Sequence, residues 1–74
     1  MIMEEDPIIE VIGRTGKPIK KHLFDINTNP KVEFNTTDGK FYPYISRWYR
    51  LPGKFSDPRD AMNVILEFQK KYLV

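Results

Sequence analysis

The stretch Lys40-Phe41-Tyr42-Pro43-Tyr44-Ile45-Ser46-Arg47-Trp48-Tyr49-Arg50 holds the densest chemistry of the chain: five of its ten aromatic rings, together with three bases. Read as a strand, its side chains alternate between two faces. One face then carries Phe41, Ile45, Tyr49 and Leu51 with Arg47 among them, and the other carries Tyr42, Tyr44, Trp48 and Arg50. If the first face packs in a core, the second offers flat rings to unpaired bases and a guanidinium to phosphate, each stacked base contributing roughly 1–3 kcal/mol. The same residue types anchor protein partners, because Trp, Tyr and Arg dominate interface hot spots. A third reading keeps the rings structural, shielding the sheet or packing against an N-terminal hairpin, since large aromatics help to fill small cores.

No comparable constellation argues for catalysis. Gly13-Arg14-Thr15-Gly16-Lys17-Pro18 superficially resembles a phosphate loop, but only two residues separate its glycines, and Pro18 stands where a hydroxyl should hold magnesium. A nucleotide site is rejected, although Arg14, Lys17 and the turn amides could still touch a phosphate. His22 is the only histidine and there is no cysteine, so a metal site, which takes about three or four ligands, is not expected. No hydroxyl or carboxylate forms a motif with His22 that would activate a nucleophile. The chain is read as a non-enzyme without cofactors.

The formal charge of +2 hides an uneven distribution. Residues 1–10 carry four acids and no base. Residues 11–54 carry nine bases against three acids, and residues 55–74 are balanced. A basic body draws anionic partners, which makes Arg14, Lys17, Lys20, Lys21 and Lys40 candidate phosphate contacts around the aromatic strand. The bland alternative is ordinary solubilising charge.

The elements that must position these residues follow from punctuation and period. Seventy-four residues make one domain, 1–74, with residues 1–6 expected as a mobile end. Ile8 to Ile12 after Pro7 reads as a strand, ended by the turn at Gly13–Lys17. Residues 18–26 do not alternate cleanly and read as a bulged strand or partly irregular chain. Asn27-Thr28-Asn29-Pro30 is turn chemistry. Lys31 to Thr36 alternates as a strand with Val32 and Phe34 on one side, and Asp38-Gly39 suits a tight hairpin leading into a partner strand from Phe41 to Leu51. Pro43 lacks a ladder donor, which predicts an edge position, a bulge, or a strand that begins after it.

Asp57-Pro58-Arg59-Asp60 marks a helix start: a capping carboxylate, proline at the first helical position and an acid facing the positive helix end. Ala61, Val64, Ile65, Phe68 and Tyr72 then form one stripe of an amphipathic helix from about Pro58 to Leu73. Met62, Leu66 and Leu73 widen it on one side, as a deeper seat in the sheet or as a surface for a partner or a second copy. No apolar run approaches the roughly 20 residues of a membrane span. The acidic start does not read as a secretory signal, so the cytoplasm is the expected location.

The order of strands, a Pro/Gly loop and a terminal helix over Lys31 to Leu73 resembles the three-strand-plus-helix domains of the integrase arm-binding type. That resemblance implies a sheet face reading DNA with basic and aromatic side chains; it is one of topology alone. The fold expected is α+β, a small antiparallel sheet of three to four strands packed by one C-terminal helix. The function expected is a nucleic-acid-binding accessory protein, for DNA or RNA, using Tyr42, Tyr44, Trp48 and Arg50. The alternative is a protein-binding module or modulator of a larger enzyme or assembly, using the same rings or the flank of Met62, Leu66 and Leu73.

Overall fold

The computed structural model describes residues 6–72. Strands β1 (Ile8–Gly13), β2 (Pro18–His22), β3 (Lys31–Asn35), β4 (Lys40–Tyr44) and β5 (Tyr49–Arg50) precede one helix, α1 (Pro58–Tyr72). The strands form a single antiparallel sheet in the order β2-β1-β5-β4-β3. It is an α+β fold with the C-terminal helix packed on the sheet.

The β1–β2 hairpin closes at the glycine turn read from the sequence. Gly13 N donates to Lys17 O at 3.2 Å and Gly16 N to Gly13 O at 3.0 Å. After β2 the chain leaves the extended state for one 3₁₀ turn, Leu23–Asp25, which buries Leu23. This explains the broken alternation of residues 18–26. Of the expected mobile end, residues 1–5 lie outside the described residues. Asp6 is held: its carboxylate accepts the Phe24 amide at 2.9 Å and lies 3.5 Å from His22 Nδ1.

The segment from Phe41 to Leu51 is not one strand but two. Ile45 and Ser46 donate their amides to Tyr49 O, at 3.1 and 3.2 Å, and the chain reverses there. The Ser46 hydroxyl accepts the Trp48 and Tyr49 amides, at 3.3 and 3.2 Å, so a local side-chain bond replaces the ladder. The extra reversal creates β5 and gives the N-terminal hairpin a strand to join, through Ile12–Arg50 and Gly13–Tyr49. A single sheet of five strands results.

Pro43 lies in β4, inside the sheet rather than at its edge, and is fully buried. Its carbonyl faces β5 and accepts Leu51 N at 2.9 Å. The N–H it lacks would point the same way, toward the end of β5, where little ladder remains to be disrupted. Beyond this point the chain loops through Pro52–Lys54 and returns, so that Phe55 pairs with Phe41 in both directions, at 2.7 and 3.0 Å.

The turn between β3 and β4 spans four residues, 36–39, rather than the expected tight pair. Gly39 alone takes positive φ (+68°), and its amide reaches Asn35 O at 2.8 Å. Asn35 and Asp38 side chains accept the amides of Thr37 and Lys40, which stabilises the wider loop without forcing Asp38 into a left-handed conformation.

The helix begins where its cap predicts. Asp57 Oδ1 accepts the Arg59 amide at 2.8 Å, Pro58 is the first helical residue, and Asp60 in the first turn and Lys70 and Lys71 in the last complement the dipole. Ala61, Ile65 and Phe68 are buried. Ile65 and Phe68 join Ile9, Val11, Leu23, Ile26, Ile45 and Leu51 in one core, with Val32, Tyr49, Val64 and Tyr72 packed against it. Among the described residues no helix is long and apolar enough to cross a membrane.

Candidate nucleic-acid interface

Cross-strand partners in an antiparallel pair share a face of the sheet. Ile9 and Val11 face the helix, so the register places Ile8, Glu10 and Ile12 on the opposite, open face. Lys20 and His22 of β2, Arg50 of β5, Tyr42 and Tyr44 of β4, and Lys31 and Glu33 of β3 join them there. Three of the four residues expected to act together, Tyr42, Tyr44 and Arg50, are therefore neighbours on this face.

Their arrangement differs from a bare row of rings. The Arg50 guanidinium lies 4.5 Å from the centre of the Tyr42 ring, and that of Arg14 lies 4.5 Å from the centre of Tyr44. Tyr44 is only 6 % exposed. The tyrosines thus serve as a bed for two guanidiniums, in the geometry that favours a cation over an aromatic quadrupole. Arg14 is exposed above the buried Tyr44, whereas Arg50 and Tyr42 are both half-buried.

Arg14 reaches the centre of the face from the β1–β2 turn and is held at three points. Its Nε donates to Arg47 O at 2.7 Å, its Nη2 to Glu33 Oε2 at 2.8 Å, and its flat surface covers Tyr44. The hydrogen bond to Glu33 raises the Arg14 pKa, and the same bond holds the Glu33 carboxyl below its ordinary range. Lys31 adds a second cation 3.5 Å from Glu33. On β4, the Tyr42 hydroxyl donates to the Asp38 carboxylate, which raises the tyrosine pKa and lowers that of the acid. A depression of about 330 Å³ on this face is lined by Arg14, Glu33, Asn35, Tyr42 and Tyr44, among others.

The remaining lysines are dispersed. Lys20 is exposed on the open face, and Lys17 is exposed in the turn beside it. Lys40 is half-buried and donates from Nζ to Ser56 Oγ at 2.9 Å. Lys21, one residue from Lys20, points to the helix side of the sheet. Its ammonium lies 3.2 Å from the Tyr49 hydroxyl and 5.0 Å from that ring's centre. The contiguous pair of lysines in the sequence therefore serves two faces, because the strand period is two.

Trp48 departs from its expected companions. It sits in the turn between β4 and β5, 58 % exposed, with the Arg47 guanidinium 5.2 Å from its ring. It borders a second cleft, between that turn and the Asp25–Asn29 segment. On the helix, Met62 and Leu66 are exposed at 40 % and 46 %, whereas Leu73 lies outside the described residues. Among the described residues no group of three or more His, Cys, Asp or Glu side chains could hold a metal ion.

Sequence reading passed over Lys31, Glu33, Arg47, Asn27 and Asn29. The alternation of β3 signalled the wet side chains of Lys31 and Glu33, but the pairing of Glu33 with Arg14 depends on a strand order that no local pattern encodes. The two asparagines read only as turn residues. The chain matches no family model, no curated protein and no solved structure.

Proposed function

We propose that the protein is a non-catalytic, cytoplasmic nucleic-acid-binding accessory protein, and that it binds through the open face of its sheet. The observation that carries this reading is the pair of guanidiniums bedded on Tyr42 and Tyr44 in the middle of an uncovered sheet. Lys20, Lys31 and Lys40 surround the pair, so five bases on this face meet Glu10, Glu33, the Asp38 carboxylate bonded to Tyr42 and Asp6 beside His22 at its margin. Arg50, ordered on its aromatic bed, loses little freedom on meeting a phosphate and can present two donors to it, whereas the Arg14 fork is already engaged by Glu33 and the Arg47 carbonyl. Phosphate contacts release counterions, so affinity should fall with salt by about 0.7 to 0.9 logarithmic units per contact for each tenfold rise.

The test is fluorescence anisotropy with labelled single- and double-stranded oligonucleotides over a salt series. Binding that weakens steeply with salt, and about tenfold further in Arg50→Ala, is the expected result. Tyr42→Leu should weaken it as well, by removing the bed beneath Arg50. Absence of binding at low salt, or affinity indifferent to both salt and Arg50→Ala, overturns the reading.

The exposure of Met62 and Leu66 favours a second reading, in which the helix flank docks a protein or a second copy of the chain. Sedimentation separates the two. A Met62→Ser, Leu66→Ser double variant should dissociate an assembly built on this flank, while leaving the salt-dependent binding of oligonucleotides intact.

A further inference from the structure

The cleft beside Trp48 is outside the open-face site and is built by segments distant in sequence. Asn29 N donates to Ile45 O at 2.7 Å, pinning the Asp25–Asn29 segment to the turn that carries Trp48. The space between them is about 420 Å³, within the range of small-molecule sites, about 300–1,000 Å³. Its walls include Lys21, Asn27, Asn29, Arg47, Trp48 and Tyr49. The turn is held by the buried Ser46 hydroxyl, which accepts two amides, so the indole stands on a fixed base.

We infer that this cleft receives one unstacked nucleobase of a single strand whose backbone runs over the open face. The indole is 58 % exposed and has the Arg47 guanidinium at 5.2 Å, which leaves ring surface free for stacking. Asn27 and Asn29 are exposed, and a side-chain amide offers both donor and acceptor, as the edge of a base requires. Asp25 adds an acceptor for an exocyclic amine. Lys21 brings an ammonium to the rim, beside the Tyr49 hydroxyl. The two surfaces are joined physically, since Arg14 of the open face donates to the carbonyl of Arg47. A duplex has no free base to offer, so the cleft selects single strands.

This inference rests on the proposed nucleic-acid function, and one experiment separates their failures. A labelled mixed-sequence 12-mer and its duplex are titrated by anisotropy against the wild type, Trp48→Ala, Trp48→Phe and Asn27→Ala. Circular dichroism confirms that each variant is folded. Trp48→Ala should weaken the single strand about 5- to 150-fold, the value of one lost stack, and leave the duplex within about twofold. Trp48→Phe should restore most of the affinity, and Asn27→Ala should lose part of it. In the wild type, the single strand should quench the fluorescence of the chain's one tryptophan and the duplex should not. Unchanged single-strand affinity in Trp48→Ala, or equal losses on both probes, overturns the cleft and leaves the open face standing. No binding of either probe by the wild type overturns both.

Discussion

Arg14 Nη2 lies 2.8 Å from Glu33 Oε2, which ties the β1–β2 turn to β3 across the two strands that separate them. The same side chain bonds the carbonyl of Arg47 and covers Tyr44, so one residue links the hairpin, the β4–β5 turn and the far edge of the sheet. β5 contributes only two residues to the ladder between the two halves, and Arg14 reinforces that short seam from the open face.

Arg14→Ala should therefore destabilise the fold as well as thin the basic face. A partly exposed ion pair contributes about 0–1 kcal/mol and the hydrogen bond to the carbonyl about 0.5–1.5 kcal/mol, so urea unfolding should show a loss of about 0.5–2.5 kcal/mol. Arg14→Lys should recover less than half of it, because an ammonium cannot serve Glu33 and Arg47 as a rigid fork does. Full recovery with lysine would mean that charge alone matters.

Glu33 makes stability depend on pH in a definite direction. The Arg14 hydrogen bond holds its folded pKa below the ordinary 4.5. The folded state thus binds the proton less readily than the unfolded chain. The resulting stability is present above pH 4.5 and is lost as pH falls through the lower folded value. Glu33→Gln should make the urea midpoint fall less steeply below that pH. Some slope should remain, since Tyr42 and Arg59 likewise hold Asp38 and Asp57 low. An unaltered slope would show that the Arg14–Glu33 contact does not persist in solution.

Adjacent helical residues should respond oppositely to substitution. Ile65 is 1 % exposed in the core and Leu66 is 46 % exposed. Ile65→Val should lower stability by about 0.5–1.5 kcal/mol. Leu66→Ser should stay within about 0.5 kcal/mol, as exposed sites usually do. Thermal or urea unfolding distinguishes them, and equal losses would place Leu66 in an interface.

Two glycines should differ for a steric reason. Gly39→Ala meets open space and suffers only its positive φ, a penalty of about 1–2 kcal/mol. Gly53, at φ +112°, would also bring its new methyl to 3.0 Å from the Phe55 ring. Gly53→Ala should therefore lower the melting temperature more than Gly39→Ala, and a reversed order would mean that the Phe55 ring yields freely.

Much of the fold was legible because its signals are local. The Asp57-Pro58 cap needs only its neighbours to form, and the stripe of Ala61, Ile65 and Phe68 follows from the helical period whatever it packs against. The Gly13–Lys17 turn and the alternation of Val32 in β3 are equally self-contained. Parity held for the strand residues of Phe41–Leu51, since Ile45, Leu51 and Tyr49 face the core and Tyr42, Tyr44 and Arg50 share the open face, but not for Arg47, expected on the core face, or Trp48, both of which lie exposed in the turn. It survived the unexpected reversal because the turn preserves which face each flanking residue takes.

What needed the tertiary structure was everything set by partners far along the chain. Ser46 reads as a strand residue until its hydroxyl is seen to accept two amides, and that bond removes Trp48 from the row it was expected to complete. Arg14 reads as a free turn cation, yet β1 and β3 come to share a sheet with β5 and β4 between them, which puts Glu33, Tyr44 and the Arg47 carbonyl within its reach. By itself the sequence determined the periods, the caps and the chemical types available. Strand order and register, which depend on long-range pairing, decided which side chains meet: tyrosines covered by arginines on the open face, and an indole left free at the end of the sheet.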